Sequence, residues 1–226
     1  MAGLKAVLLD WRGTMVADPE DAWWVSRAYE RLGRVPPPGR VQEDVEGLAA
    51  AADLEEVRAL RASADCSAAL HRAASLRYFS LAGLDDELSE VLYDLDFDPS
   101  SHPLGVEVPG VLHALKGCGV GVALVCDIHF DLRPEFRALG LDELVDAYVL
   151  SCEHGVQKPD PRLFWEALEA LDAAPEEALM VGDRPSRDGG AVQVGITTLL
   201  SPTRRTADET RLDRVLPFVG AQLGSA

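Results

Sequence analysis

The fold of this chain is constrained above all by short apolar runs, which alternate with segments of helical pattern. From Gly105 onward, apolar runs predict strands, and the segments between them carry apolar residues at helical spacing. These predicted strands lie at 120–126, 147–150, 178–181 and 196–200, and an earlier one lies at 4–10. Such alternation implies crossover connections and a parallel sheet covered by helices on both faces. We therefore predict an α/β fold built on a parallel sheet.

Carboxylates stand where two of these predicted strands end. The run that begins at Leu4 ends at Asp10, the run that begins at Ala178 ends at Asp183, and Asp188 follows in the next turn. The carboxyl ends of parallel strands meet in one crevice, where open α/β sheets bind ligands. Three carboxylates in that crevice would hold a divalent cation beside a nucleophile.

The segment between the first strand and about residue 102 has a different pattern. It is rich in alanine, leucine, arginine and acids, and its clearest predicted helices are 49–60, 68–79 and 85–95. An all-helical insertion after the first strand would stand over the crevice and could close on it as a lid. We therefore predict a core of residues 1–14 and 103–226 and a helical cap of residues 15–102.

The composition limits the partners and the location. A formal net charge of -17 over 226 residues argues against sequence-independent binding to nucleic acid or to an anionic membrane. No apolar stretch is long enough to cross a bilayer, and the first strand follows Met1 so closely that we expect no signal peptide. The four cysteines include no pair at metal-ligand spacing, so we expect reduced thiols and a cytoplasmic protein.

Four separated motifs together resemble those of the haloacid dehalogenase-like (HAD) hydrolase superfamily. In chain order they are LLDWRGT at 8–14, LVCD at 124–127, VQKPD at 156–160 and MVGDRPSRD at 180–188. Each motif alone is a weak signal, but four in the family's order form a specific one. The resemblance implies a Rossmann-like parallel-sheet core, and the predicted helical insertion resembles the C1-type cap of subfamily I.

The resemblance also implies Mg²⁺-dependent phosphatase chemistry on a small phosphorylated metabolite. Asp10 would be the nucleophile that forms an aspartyl-phosphate, which water then hydrolyses. Mg²⁺ would bind the carboxylates of Asp10 and Asp183 and the backbone carbonyl of Arg12. Asp188 would hold the ion directly or through water. Lys158 would neutralise the charge that the nucleophile and the phosphate bring together.

Two residues depart from the pattern of the family's phosphatases. Arg12 stands where they have a second aspartate that protonates the leaving group, and arginine keeps its proton at neutral pH. General acid–base catalysis contributes roughly 10² to 10⁴-fold, so alkyl phosphate esters are expected to be poor substrates. Cys126 stands where the family has a serine or threonine, and a thiol is a weaker donor to a phosphoryl oxygen.

Several interpretations accommodate Arg12. A substrate with a good leaving group, such as an acyl phosphate, needs no general acid. Arg12 could instead bind a carboxylate or a second phosphate on the substrate, or it could form a structural salt bridge. Alternatively, the protein has little or no catalytic activity and has a ligand-binding or regulatory function.

Two family branches that lack the second aspartate fit the sequence poorly. The 2-haloacid dehalogenases lack the Gly-Asp metal pair, which is present here as Gly182 and Asp183. The phosphonate hydrolases use a lysine of the cap as a Schiff base, but no lysine lies between Met15 and Gly105.

Two polar residues follow the strand that ends at Cys126. Asp127 could hydrogen-bond the substrate or cap the next helix. A lone histidine is more often structural than catalytic, but His129 is a candidate to replace the missing acid. The identity of the substrate and the oligomeric state stay open at the level of the sequence.

Overall fold

Five parallel strands form one sheet in the order β3-β2-β1-β4-β5. The computed structural model describes residues 3–223, and residues 1–2 and 224–226 of the predicted core lie outside the described residues. The strands are β1 (Ala6–Leu9), β2 (Gly121–Cys126), β3 (Ala147–Leu150), β4 (Ala178–Gly182) and β5 (Thr197–Leu200). The prediction of an α/β fold with a parallel sheet is confirmed.

The central strand β1 is buried on both faces. It pairs with β2 on one side and with β4 on the other, so that Leu9 lies between Leu124 and Val181. Successive side chains of a strand point to opposite faces, and here Val7 and Leu9 join one apolar cluster while Ala6 and Leu8 join a second. A strand that is apolar on both faces requires cover on both, which explains its unbroken apolar run.

Helices supply that cover and also form the segment after β1. The first five are α1 (Asp21–Arg31), α2 (Arg40–Ala52), α3 (Glu55–Arg61), α4 (Ala68–Leu81) and α5 (Asp86–Leu95). The later ones are α6 (Val108–Gly117), α7 (Arg133–Leu139), α8 (Ser151–His154), α9 (Pro161–Ala170) and α10 (Leu216–Leu223). Helix α6 contributes to the first cluster and α9 to the second, so the sheet is covered on both faces.

The segment from α1 to α5 has an apolar cluster of its own. The cluster includes Val25, Leu48, Leu88 and Leu95, which lie on α1, α2 and α5. An independent core agrees with the predicted helical cap, whose boundaries at 15 and 102 stay a prediction. Of the helices described, none is long and apolar enough to cross a membrane.

The predicted helix 49–60 is wrong, because the chain forms two helices there. Helix α2 ends at Ala52, and Leu54, with φ -68° and ψ 137°, leaves the helical conformation before α3 begins at Glu55. The first part of α2 was missed because it contains Gly47, which weakens a helical pattern. An added Cβ at Gly47 would meet the carbonyl oxygen of Ala82, so close packing against the turn after α4 requires the glycine.

A buried arginine from the C-terminal part of the chain holds the loop after β1. Arg204 is fully buried, its backbone N–H donates to the carbonyl oxygen of Gly13 (2.7 Å), and its Nε donates to that of Thr14 (3.0 Å). Its guanidinium pairs with Glu107, which also accepts hydrogen bonds from the backbone of 211–212. The Arg204–Glu107 pair therefore joins three distant segments beneath the crevice.

The variant Glu107→Gln tests this pair through the pH dependence of stability. Burial alone would raise the pKa of Glu107, but hydrogen bonds from Arg204 and from the backbone lower it to about 2. Because the folded pKa lies below the unfolded value of about 4.3, the stabilisation is full above that value and is lost as the pH falls towards 2. We expect the variant to lose roughly 3 kcal/mol of unfolding free energy at neutral pH, measured with urea.

The same comparison in acid supplies the control. The difference between the wild type and Glu107→Gln should shrink as the pH falls through the range between these two pKa values. A difference that stays constant over that range would show that the charge of Glu107 does not stabilise the fold.

Candidate active site

Asp10 is placed by the end of β1. Its backbone N–H donates to the carbonyl oxygen of Val181 (3.0 Å), so sheet pairing continues one residue beyond Leu9 and fixes where the side chain starts. The chain then turns at Gly13, which has φ +79°. An added Cβ there would lie 2.5 Å from Oδ2 of Asp183, so both the positive φ and the close approach require glycine.

Lys158 links two carboxylates inside the protein. Its Nζ donates to Oδ1 of Asp10 (2.6 Å) and to Oδ1 of Asp188 (2.5 Å), and all three side chains are buried. Burial alone would lower the pKa of Lys158, but the two carboxylates raise it above its ordinary value. The group is therefore a fixed ammonium ion at neutral pH.

The two carboxylates differ in their electrostatic surroundings. Burial raises the pKa of Asp10 to about 7, although the ammonium of Lys158 opposes the rise. Burial would also raise the pKa of Asp188, but Lys158 and a backbone hydrogen bond from Arg184 lower it overall. A further positive charge beside Asp10 would favour its ionised form.

Asp188 is held by the turn that follows β4. Its Oδ2 accepts from the backbone N–H groups of Asp183 (3.1 Å) and Arg184 (2.9 Å). Gly182 makes the room, because an added Cβ there would collide with the Asp188 carboxylate. The Gly-Asp pair at the end of β4 and the later aspartate are thus one structural unit.

The three acids fit a hard divalent cation. One carboxylate oxygen from each of Asp10, Asp183 and Asp188 lies within 4.8 Å of the others. Among the described residues, Oδ2 of Asp10 and Oδ1 of Asp183 are buried and have no hydrogen-bond partner. Buried polar atoms normally have a partner, and Mg²⁺ takes oxygen ligands. The structure brings the predicted ligands together, and their role in binding a metal stays a prediction.

Arg12 forms an ion pair with the helical segment. Its Nη2 lies 2.6 Å from Oδ1 of Asp96, which directly follows α5, and the same nitrogen approaches Nε2 of His102 (3.4 Å). The Arg12 side chain is 33% exposed and lines the cavity described below. The structural salt bridge, one of the interpretations that the sequence leaves open for Arg12, is therefore present. Binding of the substrate by the Arg12 side chain and binding of a metal by its backbone carbonyl stay predictions.

The two residues at the end of β2 support the site from beneath. The buried thiol of Cys126 donates a weak hydrogen bond to the carbonyl oxygen of Leu9 (3.9 Å), and burial raises the pKa of that thiol well above its ordinary value. Asp127 caps no helix; its Oδ1 accepts from the backbone N–H of Lys158 (2.7 Å). Asp127 thus helps to place Lys158, and the substrate-binding roles of Cys126 and Asp127 stay predictions.

A cavity of about 520 Å³ separates the helical segment from the carboxyl ends of the strands. Trp24 and Tyr78 line it from the helical segment, and Asp127 and Arg184 line it from the sheet. Asp10 does not line the cavity and is only 1% exposed, although its neighbours do line it. The carboxylate cluster therefore lies behind the floor of the cavity.

Two arginines that the sequence analysis missed stand at that floor. Arg184 Nη2 lies 3.8 Å from Oδ2 of Asp127, and Arg184 Nε lies 3.9 Å from Oδ1 of Asp183. Arg187 donates to the carbonyl oxygens of Lys158 (2.6 Å) and Arg61 (3.2 Å), so it ties the helical segment to the site. Their position in the turn between Asp183 and Asp188 was the signal that could have indicated them.

His129 lies against a second histidine and does not contact the carboxylate cluster. Its ring stacks on His71 of α4, with centroids 3.5 Å apart. Burial, together with the neighbouring His71, lowers the pKa of His129 to about 3. A neutral imidazole of this kind is a poor proton donor at neutral pH, which argues against His129 as the replacement acid.

Comparisons with known proteins point to one family. The haloacid dehalogenase-like hydrolase family model matches residues 4–195. A phosphoserine phosphatase of Thermus thermophilus is 41% identical over 88 residues, which cover 38% of this chain and 35% of the relative. The (S)-2-haloacid dehalogenase 1 of a Pseudomonas species is 32% identical over 114 residues, which cover 50% of this chain and 49% of the relative. The chain thus spans half of these relatives or less.

Solved structures share the fold. The crystal structure of a HAD phosphatase from Thermococcus onnurineus superposes with a TM-score of 0.57 at 24% identity, and the match covers 94% of this chain and 97% of that one. The family match covers most of the chain, and the parallel sheet agrees with it. The protein therefore belongs to the haloacid dehalogenase-like hydrolase family.

Proposed function

We propose that the protein is a Mg²⁺-dependent phosphohydrolase that acts on a small phosphorylated metabolite through Asp10. The observation that carries the proposal is the buried cluster in which Lys158 bridges Asp10 and Asp188 while Oδ2 of Asp10 has no hydrogen-bond partner within residues 3–223. Lys158 thus orients a carboxylate whose two oxygens could serve as nucleophile and as metal ligand. The named phosphatase among the relatives supports this class of reaction.

The residues divide the work of a two-step hydrolysis. The Asp10 carboxylate attacks phosphorus as the leaving group departs with its electron pair. Water then attacks the phosphorus of the aspartyl-phosphate, which releases inorganic phosphate, a proton and the Asp10 carboxylate. Lys158 stays protonated and offsets the negative charge of the nucleophile and the phosphoryl group. Asp10, Asp183 and the Arg12 carbonyl, with Asp188 directly or through water, would hold Mg²⁺, which would supply further positive charge.

The leaving group is restricted because the residue two after the nucleophile is no acid. Arg12 carries a permanent charge and is already paired with Asp96 at 2.6 Å. A carboxylate leaves from an acyl phosphate without a proton, whereas an alkoxide needs one. We therefore propose acyl phosphates as the preferred substrates.

Access to Asp10 requires a side chain to move. Asp10 is 1% exposed, and Arg184, whose side chain is 41% exposed, lines the cavity beside it. Arg184 is well placed to swing aside and bind phosphoryl oxygens, because its nearest acidic partners lie beyond hydrogen-bond distance.

The second candidate function is a phosphate-binding protein with little turnover. The Arg12–Asp96 ion pair favours it, because this pair occupies the position from which the family's phosphatases protonate the leaving group. Dehalogenation fits less well, although a named dehalogenase is among the relatives, because three convergent carboxylates favour a cation.

A cytoplasmic location stays a prediction from the cysteines, all four of which are free thiols.

Asp10→Asn tests the nucleophile. We expect Mg²⁺-dependent hydrolysis of acetyl phosphate by the wild type and a fall of roughly 10³-fold or more in the variant, because an amide is no nucleophile for phosphorus. The measurement is phosphate release with purified protein, with and without a chelator. Asp213→Asn, which changes an exposed aspartate, is the matched control and should keep full activity.

Three outcomes separate the alternatives. Equal turnover by wild type and Asp10→Asn would contradict the assignment of the nucleophile. Mg²⁺-dependent binding of inorganic phosphate with no turnover of acyl, aryl or sugar phosphates would favour the second candidate. Activity that survives the chelator would contradict the dependence on a metal.

Restoring an acid at position 12 tests whether Arg12 restricts the leaving group. In Arg12→Asp alone, the new carboxylate would face Asp96 without a cation, so we expect a loss of stability and little gain in activity. In Arg12→Asp combined with Asp96→Asn, that repulsion is absent. We expect this double variant to gain at least roughly tenfold in kcat/KM for an alkyl phosphate ester, with Asp96→Asn as its control. No gain in the folded double variant would contradict the argument.

A further inference from the structure

A second group of possible metal ligands lines the cavity. Asp65, His71 and His129 each offer one ligand atom within 4.8 Å of the others, and Asp96 lies beside them. We call these four residues the His–Asp cluster. Asp65, His71 and Asp96 belong to the segment from α3 to the end of α5, and His129 follows β2 in the sheet. The cluster therefore spans the contact between the helical segment and the core.

The polar atoms of the cluster are close together but make no hydrogen bonds with one another. Nε2 of His71 lies 3.7 Å from Oδ1 of Asp65 and 3.8 Å from Oδ2 of Asp96. Nε2 of His129 lies 3.7 Å from the same oxygen of Asp96. These separations exceed a hydrogen bond, yet they suit atoms that share one ion between them.

Two of these atoms are buried without any partner among the described residues. They are Nε2 of His129, whose side chain is 2% exposed, and Oδ2 of Asp96. The other oxygen of Asp96 is occupied by Arg12 at 2.6 Å, which leaves Oδ2 directed at the two imidazoles. Buried polar atoms without hydrogen-bond partners are costly and rare, so these two atoms indicate that a ligand binds between them.

The donor set indicates the kind of ligand. Imidazole nitrogens combined with carboxylate oxygens are typical ligands of Zn²⁺, at about 2.0 to 2.2 Å from each. In a tetrahedral site such bonds place the ligand atoms roughly 3.4 Å apart, slightly less than the separations here. An imidazole nitrogen binds a metal ion in the plane of its ring. The rings of His71 and His129 are stacked, so they would have to tilt slightly for both nitrogens to point at one ion.

We propose that the His–Asp cluster is a binding site for a divalent transition-metal ion of the Zn²⁺ type, separate from the carboxylate cluster around Asp10. One ligand comes from the core and three come from the helical segment, so a bound ion would fasten the segment onto the core. Asp65 and Asp96 would offset part of the charge of the ion, since Asp96 also pairs with Arg12.

Zinc titration of the whole protein tests the proposal. With excess Mg²⁺ present, we expect the wild type to bind one Zn²⁺ by calorimetry and the midpoint of thermal unfolding to rise. His71→Ala and His129→Ala should each weaken Zn²⁺ binding by at least roughly tenfold and abolish the rise. His113→Ala, which removes an exposed histidine of α6, should bind Zn²⁺ like the wild type.

Asp183→Asn separates this site from the carboxylate cluster. We expect the variant to keep its Zn²⁺ affinity, whatever its activity towards acetyl phosphate. Zn²⁺ binding that is lost in Asp183→Asn but kept in His71→Ala would overturn the proposal, and so would the absence of any Zn²⁺ binding by the wild type. If His129→Ala fails to fold, His71→Ala decides, because that ring is less buried.

Discussion

The site depends on two buried ion pairs, which the ammonium of Lys158 forms with Asp10 and with Asp188. Two carboxylates this close in a buried region cannot both ionise without a cation between them. Much of the surrounding structure keeps the ammonium in place, since Asp127 holds its backbone and Gly182 admits the Asp188 carboxylate. The order of the strands then brings these residues together, because β1 and β4 are neighbours in the sheet.

Charged contacts also fasten the helical segment over this site. Arg12 in the loop after β1 pairs directly with Asp96 after α5, and Arg187 reaches from the turn after β4 to the carbonyl oxygen of Arg61. On this account, the position from which the family's phosphatases donate a proton serves here to hold the helical segment. The chemistry that we propose is therefore limited by the leaving group, and a metal in the His–Asp cluster would add a further link between the helical segment and the core.

The sequence predicted the parts of the structure that depend on local pattern. Unbroken apolar runs that alternate with helical patterns predicted the parallel sheet, and the ends of these runs predicted where Asp10 and Asp183 lie. The helix at 49–60 was mispredicted because Leu54 breaks it and Gly47 is retained for close packing. The partner of Arg12 and the stacking of His71 on His129 were not predictable, because they join segments far apart in the chain and follow only from how the helical segment packs.

Identification of a covalent intermediate on Asp10 would test its role as the nucleophile. The wild type with Mg²⁺ would be mixed with acetyl phosphate, quenched in acid within one turnover and digested for mass spectrometry. The account predicts a phosphoryl group on the peptide that contains Asp10, and its removal by hydroxylamine, which cleaves acyl phosphates. Turnover that leaves this peptide unmodified, or a phosphoryl group on another residue, would contradict the account.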